Sequence, residues 1–217
     1  MKKLRERLLN LLYPPKCAFC RRLTEDGRTI CPVCEGRLPR PDKGEAVRQI
    51  PPLDGCLSPL YYTDSVRESL LRYKFRGLTA YAGIYGELMA ACLKEHGVEA
   101  DAIVWVPLSR QRRRKRGYDQ AQLLAKELAA QTGLPCLKLL KKTKNNPAQS
   151  GTGGLAARQR NVQGVYEAQN VPEGIRVLLV DDIVTTGSTL SAAARTLLDA
   201  GAACVIGITA AQTPKSN

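Results

Sequence analysis

The chain is poor in the side chains that stack on bases or shuttle protons. Aromatic residues make up only 5% of its 217 residues, with two phenylalanines and one tryptophan. Such a content offers no dedicated base-stacking platform. There is one histidine, His96. It falls at the end of a predicted helix and reads as a surface residue in preference to a catalytic one. Acidic residues are also scarce: 33 Lys and Arg face 20 Asp and Glu, a formal net charge of +13. That balance favours phosphorylated metabolites, nucleic acid or an acidic surface as partners, without choosing among them. No apolar run approaches the roughly 18 residues that span a membrane. No membrane span is therefore predicted. Met1 to Tyr13 is leucine-rich, but Arg5, Glu6 and Arg7 and the lack of a long apolar core argue against a secretory signal. A short amphipathic helix packed on the body or on a partner is expected there.

The length suits one medium domain plus a small one, and a hydrophobic content of 44% is that of a globular protein. The spacing of the eight cysteines matters more than their number. Cys17-Ala-Phe-Cys20 and Cys31-Pro-Val-Cys34 are two CxxC steps around a ten-residue spacer that turns at Asp26-Gly27. Each turn can present two sulfurs to one metal, and two turns complete a closed four-thiolate site. Cys17, Cys20, Cys31 and Cys34 are thus predicted ligands of a structural zinc in a small ribbon; a redox dithiol is the rival reading. Cys56, Cys92, Cys136 and Cys204 lie in apolar surroundings and read as packed thiols.

Along the rest of the chain, the proline-bearing stretch 39–52 reads as a linker and 55–63 as a strand ending at Tyr61-Tyr62. Ser65 to Phe75 reads as a helix capped by Asp64 or Ser65, and Ala80 to His96 as a second helix. Lys74 and Arg76 fit either an ordinary cationic helix end or a functional role. Asp101 to Pro107 is the next core strand. It leads into a loop carrying Arg110, Arg112, Arg113, Arg114, Lys115 and Arg116. Arginine forks pair with phosphate oxygens, so the loop could hold a pyrophosphate; a solvated basic patch or a nucleic-acid contact is the alternative. Ala121 to Gln131 is helical, and Leu137 to Leu140 a short strand. The polar stretch Lys141 to Arg160 is too long for a plain connector and reads as a mobile lid, or else as disordered linker. A strand with Val165 and Tyr166 follows.

The chain is organised around Val177-Leu-Leu-Val180-Asp181-Asp182-Ile-Val-Thr185-Thr186-Gly187-Ser188-Thr189. The apolar run predicts a strand buried on both faces, ending at the acidic pair. The small-residue loop lets backbone N–H groups approach a phosphate, with the following helix adding positive partial charge. A carboxylate pair ahead of that cradle repels phosphate. It suits a sugar's vicinal hydroxyls, or a magnesium ion between sugar and phosphate. A helix to about Ala200 and a last strand, Cys204 to Ala210, complete the chain.

This thirteen-residue stretch resembles the phosphoribosyl pyrophosphate (PRPP) signature of the type I phosphoribosyltransferases. Four further features occur in order: the CxxC pairs, Lys74-Phe-Arg-Gly77, Arg116-Gly-Tyr-Asp-Gln120, and Asn146-Pro-Ala-Gln149 followed by Arg158 and Asn161. Together they resemble the ComF (ComFC-type) family of competence-associated proteins over nearly the whole chain. Asp119 departs from the family's usual Asn. The resemblance implies an α/β, type I phosphoribosyltransferase fold: a mostly parallel central sheet flanked by helices, with a small N-terminal four-cysteine zinc-ribbon module. The expected division is a leading helix plus ribbon over 1–44 and a phosphoribosyltransferase-like domain over 45–217. Asp181 and Asp182 would address the ribose, directly or through magnesium brought with PRPP. Thr185, Thr186, Gly187, Ser188 and Thr189 would hold the 5′-phosphate. Arg110, Arg114, Arg116 and Lys74 would meet the pyrophosphate, and Gln149 and Arg158 would sit in the lid. A role in DNA uptake beside a helicase-like partner is implied, on the cytoplasmic side. Two functions remain open on the residues themselves: an enzyme transferring phosphoribose to an acceptor, or a PRPP-sensing module that binds single-stranded DNA or a partner. Neither the acceptor nor the oligomeric state is legible.

Overall fold

The computed structural model describes residues 15–24, 28–143 and 164–214. The leading helix expected over 1–13 and most of the lid, with Gln149 and Arg158, lie outside the described residues.

The centre of the molecule is strand β7, Arg176–Val184. Val177 to Val180 are each at most 1% exposed, because the strand is covered on both faces. Successive side chains alternate across a sheet. Leu178 and Val180 enter one apolar cluster, and Val177 and Leu179 enter another. Strand β7 pairs in parallel with β3 (Ala102–Trp105) on one side and β8 (Cys204–Gln212) on the other. Outside these lie β4 (Cys136–Leu137), parallel to β3, and β2 (Cys56–Leu57), parallel to β8. The antiparallel strand β1 (Val47–Arg48) closes the edge, giving the order β1-β2-β8-β7-β3-β4.

Helices cover both faces. Helix α1 (Pro32–Glu35) belongs to the second CxxC turn. Helices α2 (Asp64–Phe75), α3 (Tyr81–Glu95) and α5 (Gln120–Thr132) contribute buried side chains to the cluster holding Leu178 and Val180. The short α4 (Arg110–Arg116) precedes α5. Helix α6 (Ser188–Leu198) packs through Leu190, Ala193, Ala194 and Leu197 on the opposite face. A separate antiparallel pair, β5 (Leu140–Lys142) and β6 (Tyr166–Ala168), adds Leu140 and Tyr166 to that second cluster.

Several expectations are corrected. The stretch 39–52 is not a linker: it forms β1, and Ile50 is buried against the second cluster. The strand expected over 55–63 is only Cys56–Leu57 plus a parallel bridge from Tyr61 to Gln212, so the chain leaves the β8 edge between them and rejoins it at the end. Helix α2 is preceded by Thr63, with no side-chain cap bond, instead of a capping Asp64 or Ser65. The arginine loop is a helix, begun by the Ser109 hydroxyl accepting from Arg112 N–H and ended by Gly117 in the left-handed region. The strand expected at 137–140 splits into β4 and β5, which join different sheets. Strand β7 continues through both aspartates, because the equally long β8 goes on pairing with it as far as Gln212.

Candidate functional site at the carboxyl end of the sheet

Strand β3 stops beside Val180, while β7 runs on against β8. From β3 the chain passes outward to β4, whereas β7 and β8 lie on its other side. The strand order therefore reverses between β3 and β7, and the β3-facing edge of β7 is open from Asp181 onward. In open α/β sheets the ligand crevice lies at such a switch point. The residues of the central stretch meet there.

Asp182 is only 4% exposed. One of its oxygens, Oδ1, pairs with Lys74 Nζ at 2.9 Å, and the other, Oδ2, is buried without a hydrogen-bond partner among the described residues. The Asp181 carboxylate accepts the N–H of Asp182 at 2.8 Å. Burial, then the charge of Asp182, raises the Asp181 carboxyl to about 8; the Asp182 N–H and Lys74 pull the other way. Two adjacent carboxylates on one strand are costly in a folded apo protein, and the Lys74 ammonium offsets part of that cost.

The loop after β7 has Gly187 at φ +79°, ahead of α6. A Cβ there would stand 2.7 Å from Ile50 Cγ2, so the turn requires glycine. Thr186 Oγ1 and Ser188 Oγ are 3.1 Å apart, and Thr185, Thr186 and Thr189 are exposed. Gly187, the residue before the helix, has no side chain to cap it, and the exposed hydroxyls of Thr185, Thr186 and Thr189 gather at that end. Arg48 donates to the carbonyls of Thr185 and Thr213 and pins the loop from the sheet edge.

The basic residues separate into different roles. Arg110 and Arg114 are exposed on α4. Arg116 lies 4.9 Å over the exposed Phe75 ring and donates to Gln120 Oε1, so it braces the α4–α5 junction. Lys74, also expected with the pyrophosphate group, pairs with Asp182. The reason is that α2 is held at its C-terminal turn: Tyr73 OH donates to Gln120 O, and Tyr118 OH donates to Tyr73 O. Asp119 is a buried structural residue. It accepts from Leu108 N–H at 2.9 Å and caps α5 through Gln122 N–H.

Three further residues near the site were not among the predicted site residues, although Lys142 fell in the stretch read as a lid and Tyr166 in a predicted strand. Arg48 falls in a proline-flanked stretch. Lys142 is partly buried on β5, where burial and then Arg112 lower its ammonium while Asp181 and Asp119 hold it up. Tyr166 on β6 is likewise raised, by burial first and by Asp181 second. Asp181 is thus within electrostatic reach of Lys142 on β5 and Tyr166 on β6. An independent cleft of about 780 Å³ lies at the opposite end of β7, beside Arg176 and Glu99, away from these residues.

The four predicted zinc ligands come together. Their sulfurs all lie within 4.8 Å of one another, and Cys20 and Cys31 Sγ are 3.7 Å apart. A tetrahedral zinc with Zn–S bonds of about 2.3 Å would separate its sulfurs by about 3.8 Å, so the cluster fits a structural zinc. Burial opposes the Cys17 thiolate, but N–H groups of Cys31, Cys20 and Phe19 outweigh it and bring the thiol to about 6. The knuckle is seated on the body. Arg72 donates to the carbonyls of Ala18 and Phe19 at 2.9 and 2.8 Å, and Phe19 packs edge-on to Tyr85.

Comparison with known proteins agrees with this layout. The phosphoribosyl transferase domain family matches residues 114–217, and the double zinc ribbon domain family matches residues 8–45. Competence protein ComFC of Bacillus subtilis is 31% identical over 92% of this chain and 85% of that protein. The chain belongs to the ComF family. Among other similar proteins, DNA utilization protein YhgH of Escherichia coli is 28% identical, covering 87% of this chain and 86% of its own. Competence protein F of Haemophilus influenzae is 29% identical, covering 73% and 72%. The ComF-family chain thus has a type I phosphoribosyltransferase fold with a mostly parallel sheet and a four-cysteine zinc-ribbon head. Among the described residues, no helix is long and apolar enough to cross a membrane.

Proposed function

We propose that this protein binds PRPP at the β3–β7 switch point and transfers its phosphoribosyl group to an acceptor, as part of DNA uptake. The observation that carries the reading is the acidic pair at the open edge of β7, one turn ahead of the hydroxyl-rich loop that starts α6. Asp181 and Asp182 would accept hydrogen bonds from the ribose hydroxyls. Thr185 to Thr189 would hold the 5′-phosphate through hydroxyls and amides. The exposed Arg110 and Arg114 would stabilise the charge gathering on the departing pyrophosphate. Magnesium would arrive as the counterion of PRPP, easing charge on the pyrophosphate. As that group leaves, the anomeric carbon becomes positive, and the adjacent carboxylates favour it. Orientation and charge stabilisation would then supply the rate enhancement. The chain from Lys141 to Arg160, with Gln149 and Arg158, would cover the bound sugar phosphate. The division into a 1–44 head and a 45–217 catalytic domain belongs to the same reading.

Calorimetric titration of PRPP with magnesium tests it, on the wild type and on Asp181→Asn/Asp182→Asn. Binding by the wild type that the double variant loses is expected. Folded, zinc-loaded wild type that binds no PRPP would reject the proposal. A second reading is a PRPP sensor that binds single-stranded DNA or a helicase-like partner. The exposed Phe75 under Arg116, beside the basic α4, favours it, as do the competence and DNA-utilization names of the relatives. It predicts DNA binding that weakens steeply with salt and changes with PRPP.

A further inference from the structure

One residue from outside the central stretch takes hold of the loop between β7 and α6. Arg48 on β1 lies 137 residues before Thr185 along the chain. One arm of its guanidinium donates to the Thr185 carbonyl and the other to the Thr213 carbonyl. A single side chain thus ties together the segments that leave β7 and β8. The residues after it grip the same region. Ile50 stands against Gly187, and the Pro51 carbonyl accepts from Ser191 Oγ at 2.6 Å. On the loop itself, the N–H groups of Thr186 and Gly187 have no acceptor among the described residues. The first turn of α6 adds more such donors. An anion would be drawn to these amides and repelled by a carbonyl oxygen turned the same way. The Thr185 carbonyl is the one that Arg48 controls. Its peptide with Thr186 is trans, and in a planar trans peptide the C=O and the following N–H point in opposite directions. With the carbonyl held toward Arg48, the Thr186 N–H points away from β1. The guanidinium also covers the partial negative charge of that carbonyl.

We propose that Arg48 is a positioning residue for the 5-phosphate of the bound sugar: it acts from the β1 side, through the Thr185–Thr186 peptide, and sets the amide face of the loop without touching the phosphate. This rests on the sugar-phosphate site proposed above and adds a residue outside the motif that governs its phosphate half. The planar fork is essential to the role, because it spans two carbonyls at once. A lysine in its place keeps the charge but is a point donor on a flexible stem.

The test uses the full, zinc-loaded chain. Ribose 5-phosphate is titrated by calorimetry, and the backbone amides of Thr186 and Gly187 are followed by heteronuclear NMR relaxation without ligand. The wild type is expected to bind and to show both amides ordered. Arg48→Ala should weaken ribose 5-phosphate about tenfold, the worth of one well-placed amide–phosphate hydrogen bond. It should also loosen both amides. Added ethylguanidinium, which replaces the missing part of the side chain, should restore affinity where ethylammonium does not. Arg48→Lys should recover only part of it. A merely structural role would lower the unfolding midpoint and leave the affinity of the folded protein alone. Zinc content and the midpoint report whether each variant is folded. Three results would overturn the proposal: unchanged affinity in folded Arg48→Ala, full recovery in Arg48→Lys, or unchanged order at Thr186 and Gly187. If the wild type binds no ribose 5-phosphate, the sugar-phosphate reading itself fails, and the relaxation arm alone still decides whether Arg48 sets the loop.

Discussion

Replacing Gly187 by alanine is the sharpest check on the geometry of the loop between β7 and α6. The residue sits at φ +79°, where an L side chain costs about 1–2 kcal/mol. Its new Cβ would stand 2.7 Å from Ile50 Cγ2 and 2.9 Å from Ile50 Cδ1. Ile50 is buried at 6% exposure, so it cannot swing into solvent, and overpacking of this kind adds about 1–3 kcal/mol. The sum is about 2–5 kcal/mol against a usual total of about 5–15 kcal/mol, so Gly187→Ala folds but is plainly weaker. For a chain of this size that is a fall in Tm of about 5–20 °C. The two contributions can be separated in a double-mutant cycle. Ile50→Ala alone should cost about 2–5 kcal/mol as a cavity, yet in the Gly187→Ala background it also removes the overlap. Urea unfolding of the four proteins should therefore show favourable coupling of about 1–3 kcal/mol, with the left-handed strain left behind. Strict additivity, or a Gly187→Ala protein of unchanged midpoint, would refute the reasoning.

Other outcomes are equally concrete. Zinc content should be one ion per chain, and Cys17→Ser or chelation should lower the unfolding midpoint, read by metal analysis and thermal melts. Arg72→Ala should free the knuckle from α2 at a cost of about 1.5–3 kcal/mol, visible as faster amide exchange around Ala18 and Phe19. Asp181 is held above its ordinary value when folded, to about 8. The unfolded chain therefore loses its proton first as pH rises. Its favourable contribution is complete below about pH 4 and is lost as pH climbs to about 8. Asp181→Asn should remove that slope and stabilise the ligand-free protein by about 1–3 kcal/mol above pH 8, while abolishing sugar-phosphate binding. A steeper pH slope in the variant would contradict the assignment.

Much of this was legible along the chain because it is local. The apolar run 177–180 had to be a doubly buried strand, and Gly187 among hydroxyl residues had to turn into a helix. The two CxxC steps favoured convergence on one metal, since each turn presents two sulfurs and the spacer lets the turns meet. The signatures around them sufficed to name the ComF family. Where the reading stopped, the cause was non-local. Stretch 39–52 looked like a linker because its prolines hide a two-residue strand that exists only against β2. The arginine loop proved helical because Ser109 and Gly117 cap it, while runs of arginine carry no apolar period. Lys74 was read from its place in Lys74-Phe-Arg-Gly77, which says nothing of its contact with Asp182.

By itself, then, the sequence determined the zinc head, the strand–loop–helix and the family, since each depends on contacts among residues within a turn or two. Only the tertiary structure decided that β7 runs on past its aspartates and that its β3 side is open. It alone showed that Lys74, more than a hundred residues away along the chain, belongs to Asp182. Those facts depend on which strands pair and how α2 is anchored. Such relations are set by the whole core, and no short stretch encodes them.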